Sequence, residues 1–156
     1  MINTEDSPHI GTLWEHAYDL QQERLAESIN TSKEIDVALL GDSITEHWLG
    51  TDLGGPSPKF ENVSSVFSEL FTKQGGGKVE GIVLGISAEQ CRHALYRLQD
   101  GVLGNSFSPK VFWLLIGTND LAVKWCNVDA LVAGNIAIVE ELLKLRPDTA
   151  TPVINS

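Results

Sequence analysis

The chain has 156 residues, 42% of them hydrophobic, which suits one globular domain with a buried core. Lys and Arg number 11 against 21 Asp and Glu, a formal net charge of -10, so no basic footprint exists for a nucleic-acid backbone or an anionic membrane surface. No apolar run approaches membrane-spanning length. The amino terminus MINTEDSPHIG also lacks the positive start and apolar stretch of a secretory signal, so a cytoplasmic location is expected. Without secretion, the glycosylation triplets at Asn30 and Asn62 mean little. Cys91 and Cys126 are too few for a disulfide framework and lack metal-ligand spacing, which predicts two free thiols and no metal site.

In chain order, residues 12 to 29 place Leu13, Trp14, Ala17, Leu20 and Leu25 among charged positions. Thr12 and Glu15 there form a capping-box pattern, which predicts an amphipathic helix. The run VALLGDSIT at 37 to 45 reads as a buried strand, a polar turn and a helix from about 44 to 50. Gly54-Gly55-Pro56-Ser57-Pro58 is a loop, after which Val66, Phe67, Leu70 and Phe71 fall at helical spacing. Gly75-Gly76-Gly77-Lys78 lacks the spacing of a phosphate-binding loop and is read as the turn into the next strand. That strand, IVLGISAEQ at 82 to 90, leads to a helix over 87 to 99. A third strand, FWLLIGTND at 112 to 120, precedes a helix over 128 to 146. In this last helix Leu131, Val132, Ile136, Val139, Leu142 and Leu143 are expected to face the core, and Pro147 to end it.

Each of the three runs thus ends in glycine and a small polar residue. In an open α/β sheet, ligands bind in the crevice beyond the carboxyl ends of the strands, where Ser43, Gly85 and Asn119 would converge. Ser43 and Glu46 also fit the S-x-x-E capping box, so a plain helix cap competes with a chemical role for this serine. Asn119 has the same competing role. Acyl transfer needs a nucleophile together with donors aimed at the developing oxyanion, and a glycine amide with an asparagine side chain can supply them.

GDSIT at 41 to 45, LGIS at 84 to 87 and GTND at 117 to 120 resemble, in order and spacing, the first three blocks of the GDSL, or SGNH, serine hydrolases. PKVFWLLIGTND and LGISAEQCRHALYRLQDG are similar to the platelet-activating-factor acetylhydrolase-like branch. The resemblance covers about residues 35 to 148. It implies a three-layer α/β/α doubly wound parallel sheet, flavodoxin-like, with visible strand order 2-1-3 and the C-terminal strands missing. The chain would be a single partial SGNH hydrolase domain over 1–156, with an N-terminal helical segment over 1–34 and a motif-bearing core over 35–148.

Carried onto these residues, the resemblance makes Ser43 the nucleophile, with its amide also serving the oxyanion hole. Gly85 becomes an amide donor and Asn119 a side-chain donor. Asp42 lies beside the nucleophile and is expected to brace the turn. Ala88-Glu89 stands where the family often has glycine and aspartate, which leaves the shape of that loop open. The implied activity is hydrolysis of a small acyl ester, an acetyl ester among them, through an acyl-serine and without a cofactor or metal. The implied partners are a small ester substrate and, from the branch, a second subunit in a homo- or hetero-dimer.

The family's fourth block, Asp-x-x-His, has no counterpart before Ser156, and a serine hydroxyl needs a base at neutral pH. His47, four residues beyond Ser43, projects from the helix that the serine begins and lacks an evident orienting carboxylate. His9, His16 and His93 are expected to be structural or solvated, and Asp148 precedes no histidine. The reading therefore expects a truncated product, with the base beyond residue 156 and the third strand left at an open edge. An inactive SGNH-like binding or assembly module is the alternative.

Overall fold

The computed structural model describes residues 11–31, 33–104, 106–122 and 127–150. His9 and Cys126 lie outside the described residues. The elements are α1 (Thr12–Asn30), β1 (Val37–Gly41), α2 (Ser43–Glu46), β2 (Thr51–Asp52), β3 (Gly55–Pro56), α3 (Glu61–Phe71), β4 (Gly81–Gly85), α4 (Cys91–Gln99), β5 (Val111–Leu115), α5 (Thr118–Ala122) and α6 (Val128–Leu145). The strands β4, β1 and β5 form a parallel sheet in that order, with Gly41 opposite both Gly85 and Leu115. This is the 2-1-3 arrangement expected from the sequence. No described helix is long and apolar enough to cross a membrane.

Side chains alternate across a strand, so the sheet divides its apolar residues between two layers. Ala38, Leu40, Ile82, Leu84, Phe112 and Leu114 pack against Trp14, Ala17 and Leu25 of α1, Ala94 and Leu98 of α4, and Ile138 and Leu142 of α6. On the opposite face Leu39 and Val83 meet Phe67 and Phe71 of α3 and Trp48. The split follows from handedness. The path from β1 to β4 and the path from β4 to β5 run in opposite directions along the sheet, and right-handed crossovers then fall on opposite faces. The strand order consequently reverses beside β1, which puts Ser43 and Asn119 at the switch point.

Several local expectations give way to longer-range contacts. Thr12 does not cap α1, which starts after Gly11 with no side-chain cap. The helix expected over 44 to 50 is α2 followed by a 3₁₀ turn over His47–Leu49, closed by Gly50 at φ 72°. The helix expected from residue 87 begins at Cys91, because residues 87 to 90 are held as a turn by the side chains of Glu46, His93 and Asn119. In α6, Ile138 and Leu142 reach the core, but Val132, Ile136 and Leu143 are 43%, 52% and 45% exposed. One face of α6 packs on α4 and the sheet, and the expected stripe was too wide for it. The outer edge of β5 also differs from the open edge expected. Ala150 bridges Val111 in parallel, with Phe112 N–H donating to the Ala150 carbonyl at 2.8 Å and Ala150 N–H to that of Lys110 at 3.2 Å.

Candidate functional site

Register sets the geometry of the site. Because Gly41, Gly85 and Leu115 are level, the turns that begin two residues later, at Ser43, Ser87 and Gly117, emerge at one end of three adjacent strands. The glycines let α2 sit directly on the strand ends. A Cβ on Gly41 would lie 2.2 Å from the Leu115 carbonyl oxygen, and one on Gly85 would lie 2.6 Å from Glu46 N and 2.8 Å from the Asp42 carbonyl oxygen. Gly85→Ala should therefore displace the serine turn and cost about 1–3 kcal/mol as an overpacked site. A lowered urea midpoint with an unchanged m-value would register it.

The serine turn is capped by its neighbour. Asp42, 1% exposed, accepts the Ile44 amide at 3.0 Å, and burial pushes its carboxyl above the usual range. Ser43 makes no side-chain cap at α2 and is half-buried at its start. Glu46, the presumed capping-box partner, turns away from its own helix end. Its buried carboxylate accepts the Ser87 amide at 2.6 Å, the Gly54 amide at 2.7 Å, the Thr51 hydroxyl at 2.9 Å and the Leu53 amide at 3.2 Å. One side chain thus ties the serine helix to the second turn and to the β2–β3 hairpin, a role with no local signal in the sequence.

The second turn is nearly saturated. Ile86 N–H donates to the Gly41 carbonyl, Ser87 N–H to Glu46, Glu89 N–H to the Ile86 carbonyl, Gln90 N–H to His93 Nδ1 at 2.8 Å and Cys91 N–H to Asp120 Oδ2 at 3.0 Å. Among these described residues the Ala88 amide alone has no acceptor. Ala88 is exposed and stands at φ 66°, a left-handed conformation that costs a non-glycine residue about 1 kcal/mol. Gly85 is differently placed. Alternate residues of a parallel strand face opposite neighbours, and Ile86 donates to Gly41, so the Gly85 amide is directed to the outer edge of β4, away from β1 and Ser43. The free donor that this turn offers is the Ala88 amide, at the position where the loop departs from the family's usual glycine.

Asn119 joins the second turn to the third. Its Nδ2 donates to the Glu89 carbonyl at 2.8 Å, and its own carbonyl accepts Gln90 Nε2 at 3.2 Å. A carboxamide nitrogen carries two hydrogens, so one N–H of Asn119 remains for a ligand. Gly117, at φ 128°, makes the bend that brings α5 back over the strand ends.

None of the described histidines is hydrogen-bonded to Ser43. His47 is stacked on Phe60 with ring centroids 3.4 Å apart, and burial lowers its pKa. His16 is exposed on α1. His93 is buried, and its Nδ1 accepts the Gln90 amide that opens α4. Burial, with Arg92 and Arg97 nearby, pulls the His93 pKa down to about 4. Its folded pKa lies below the unfolded value, so it contributes stability above about pH 6.5 that is lost as pH falls toward 4. His93→Gln keeps an acceptor at the same capping position without titrating. Between pH 6.5 and 4 the parent should lose about 2–3 kcal/mol relative to this variant. Paired urea titrations across that range measure the difference, and it should be absent at pH 8.

Comparison with known proteins agrees with this fold. No protein-family model matches the chain. Human platelet-activating factor acetylhydrolase IB subunit alpha2 is 28% identical over 122 residues, which are 78% of this chain and 43% of that protein. A GDSL-like lipase structure from Bacteroides thetaiotaomicron superposes with a TM-score of 0.57 at 21% identity, over 91% of this chain and 58% of that one. An acetyl xylan esterase structure gives a TM-score of 0.53 at 26% identity, over 76% of this chain and 57% of that one. The chain has the α/β fold of the GDSL/SGNH hydrolases. Within that class its sequence is similar to the platelet-activating-factor acetylhydrolase branch. It spans less than half the length of the curated relatives it matches.

Proposed function

We propose that this chain carries the nucleophile and the oxyanion donors of a serine esterase that hydrolyses a small acyl ester, an acetyl ester first among them. As a base takes its proton, Ser43 Oγ attacks the ester carbonyl; that proton passes to the leaving alcohol, and water, deprotonated in turn, releases the acid and restores the serine hydroxyl. Negative charge on the tetrahedral oxygen is met by the Ser43 amide, the remaining N–H of Asn119 and an amide of the second turn. The sequence resemblance suggests Gly85 for that last donor, but the free and exposed amide is that of Ala88. The observation that carries the reading is the hydrogen bond from Asn119 to the Glu89 carbonyl, which fixes a side-chain donor beside an unpaired amide at the strand ends. Asp42 braces the serine turn by accepting the Ile44 amide at Oδ1.

A binding module that holds an ester or carboxylate without turnover is the second reading. It is favoured by one observation: among the described residues no histidine is hydrogen-bonded to Ser43, His47 being stacked on Phe60, His93 Nδ1 accepting the Gln90 amide and His16 exposed on α1. Losing the histidine of a serine triad removes on the order of a millionfold from turnover, leaving roughly 10³–10⁴ over water.

Hydrolysis of p-nitrophenyl acetate by the chain, with and without added imidazole as a diffusible base, separates the two. The esterase reading expects turnover above the Ser43→Ala background that rises with imidazole, together with an acetylated peptide containing Ser43. Equal rates in the parent and Ser43→Ala at every imidazole concentration would reject the nucleophile.

A further inference from the structure

The most heavily built part of the molecule lies behind the second turn. Glu89 and Arg97 are fully buried, and the guanidinium grips the carboxylate bidentately, Nε to Oε1 at 2.7 Å and an Nη to Oε2 at 2.5 Å. Trp14 Nε1 adds a third donor to Glu89 Oε1 at 3.0 Å. Arg97 also donates to the Leu84 carbonyl at 3.1 Å and to Gln21 Oε1. This one pair therefore connects α1, the end of β4, the second turn and α4. A buried ion pair is a poor source of stability compared with apolar residues of the same volume, whereas it imposes direction on whatever it holds.

What it holds is the turn residue whose carbonyl receives Asn119. We infer that the Glu89–Arg97 pair, anchored to α1 through Trp14 and Gln21, is the positioning element of the oxyanion donors: by fixing Glu89 it sets the Ala88 amide and the Asn119 carboxamide in place. Ala88 supplies the supporting physics. An alanine at φ 66° persists only where its surroundings over-determine it, and the residue immediately after it is clamped by three charge-assisted or indole hydrogen bonds. The amino-terminal helix is thereby part of the support of the site. Glu89 and Arg97 touch no substrate, so they are positioning residues. The catalytic meaning of the inference rests on the esterase reading; the coupling itself does not.

The test follows the Asn119 side-chain amide and the Ala88 backbone amide in ¹⁵N–¹H spectra of the full chain, the former identified by its disappearance in Asn119→Ala. Glu89→Met/Arg97→Met removes both charges together, so that neither is left buried and alone. Trp14→Phe removes the indole donor together with part of the ring packing on Tyr18, His93 and Tyr96, and the packing loss is controlled separately. Leu95→Ala truncates the buried face of α4 without touching the pair. The double variant should keep a cooperative thermal transition, while the Asn119 side-chain resonance moves toward its solvent-exposed position and the Ala88 amide resonance moves toward its random-coil position. Trp14→Phe should move the same resonances in the same direction by less, and Leu95→Ala should lower the transition temperature and leave them in place.

Unchanged Asn119 and Ala88 signals in Trp14→Phe and in the folded double variant would overturn the inference, as would equal shifts in Leu95→Ala. If the double variant does not fold, the comparison of Trp14→Phe with Leu95→Ala decides. Ester hydrolysis that ignores Ser43 would defeat the esterase reading while leaving these spectra as they are, so the two failures are distinguishable.

Discussion

Arg97→Met should be the most damaging single substitution in the chain, costing about 3–5 kcal/mol of folding stability. Removing the guanidinium leaves the Glu89 carboxylate buried with the Trp14 indole as its remaining side-chain donor, and the cost is mainly that uncompensated charge. Burial already pushes the Glu89 carboxyl up to about 7 against the opposing pull of Arg97. A carboxyl whose folded pKa exceeds its unfolded value binds more protons in the folded state, so its stability contribution is present at low pH and lost as pH rises through the folded pKa. Without Arg97 the folded pKa climbs further. The gap between parent and Arg97→Met should therefore be widest above pH 7 and narrow toward pH 5. Urea unfolding at several pH values reads this directly, and a gap independent of pH would show that the loss is one of packing.

Asn119→Ala should have the largest effect on chemistry, lowering Ser43-dependent ester hydrolysis by about a hundredfold to a thousandfold, the usual result of deleting one oxyanion donor. Stability should change much less, since the carboxamide makes one hydrogen bond to a carbonyl and is half-buried. Substrate affinity should hold, because the developing oxyanion interacts with the donor more strongly than the ground-state carbonyl does. The kinetic signature is a fall in kcat and kcat/KM together with KM unchanged. A rise in KM at constant kcat would make Asn119 a substrate anchor.

The sheet was legible in the sequence for a simple reason. A strand buried on both faces must be apolar at consecutive positions, and VALL, IVL and FWLL leave little alternative. The glycines closing β1 and β4 were equally legible, since α2 presses on both. What could not be read was any role set by contacts across the chain. Ser43 and Glu46 match a capping box, but Asp42 takes the cap and Glu46 spends its carboxylate on Thr51, Leu53, Gly54 and Ser87.

Gly85 drew attention as the glycine of its block, yet which way its amide faces depends on the ladder partner of Ile86. The departure at Ala88-Glu89 was visible, and the two residues prove to be a left-handed alanine with a free amide and a fully buried carboxylate. No pattern in either residue announces Arg97 eight positions on, or Trp14 seventy-five positions back. The misjudged stripe of α6 has the same origin, because periodicity identifies an apolar face without fixing how much of it the rest of the fold covers.

On the esterase reading, the Ser43 hydroxyl attacks a carbonyl carbon whose oxygen is met by the Ala88 amide and the Asn119 carboxamide. A crystal structure of the chain after treatment with a p-nitrophenyl phosphonate, with imidazole as base, tests it most directly. Phosphorus should be bonded to Ser43 Oγ, with a phosphonyl oxygen about 2.7–3.1 Å from both Asn119 Nδ2 and the Ala88 nitrogen. A label on another residue, or a Ser43 adduct whose oxygens all point to solvent, would contradict it.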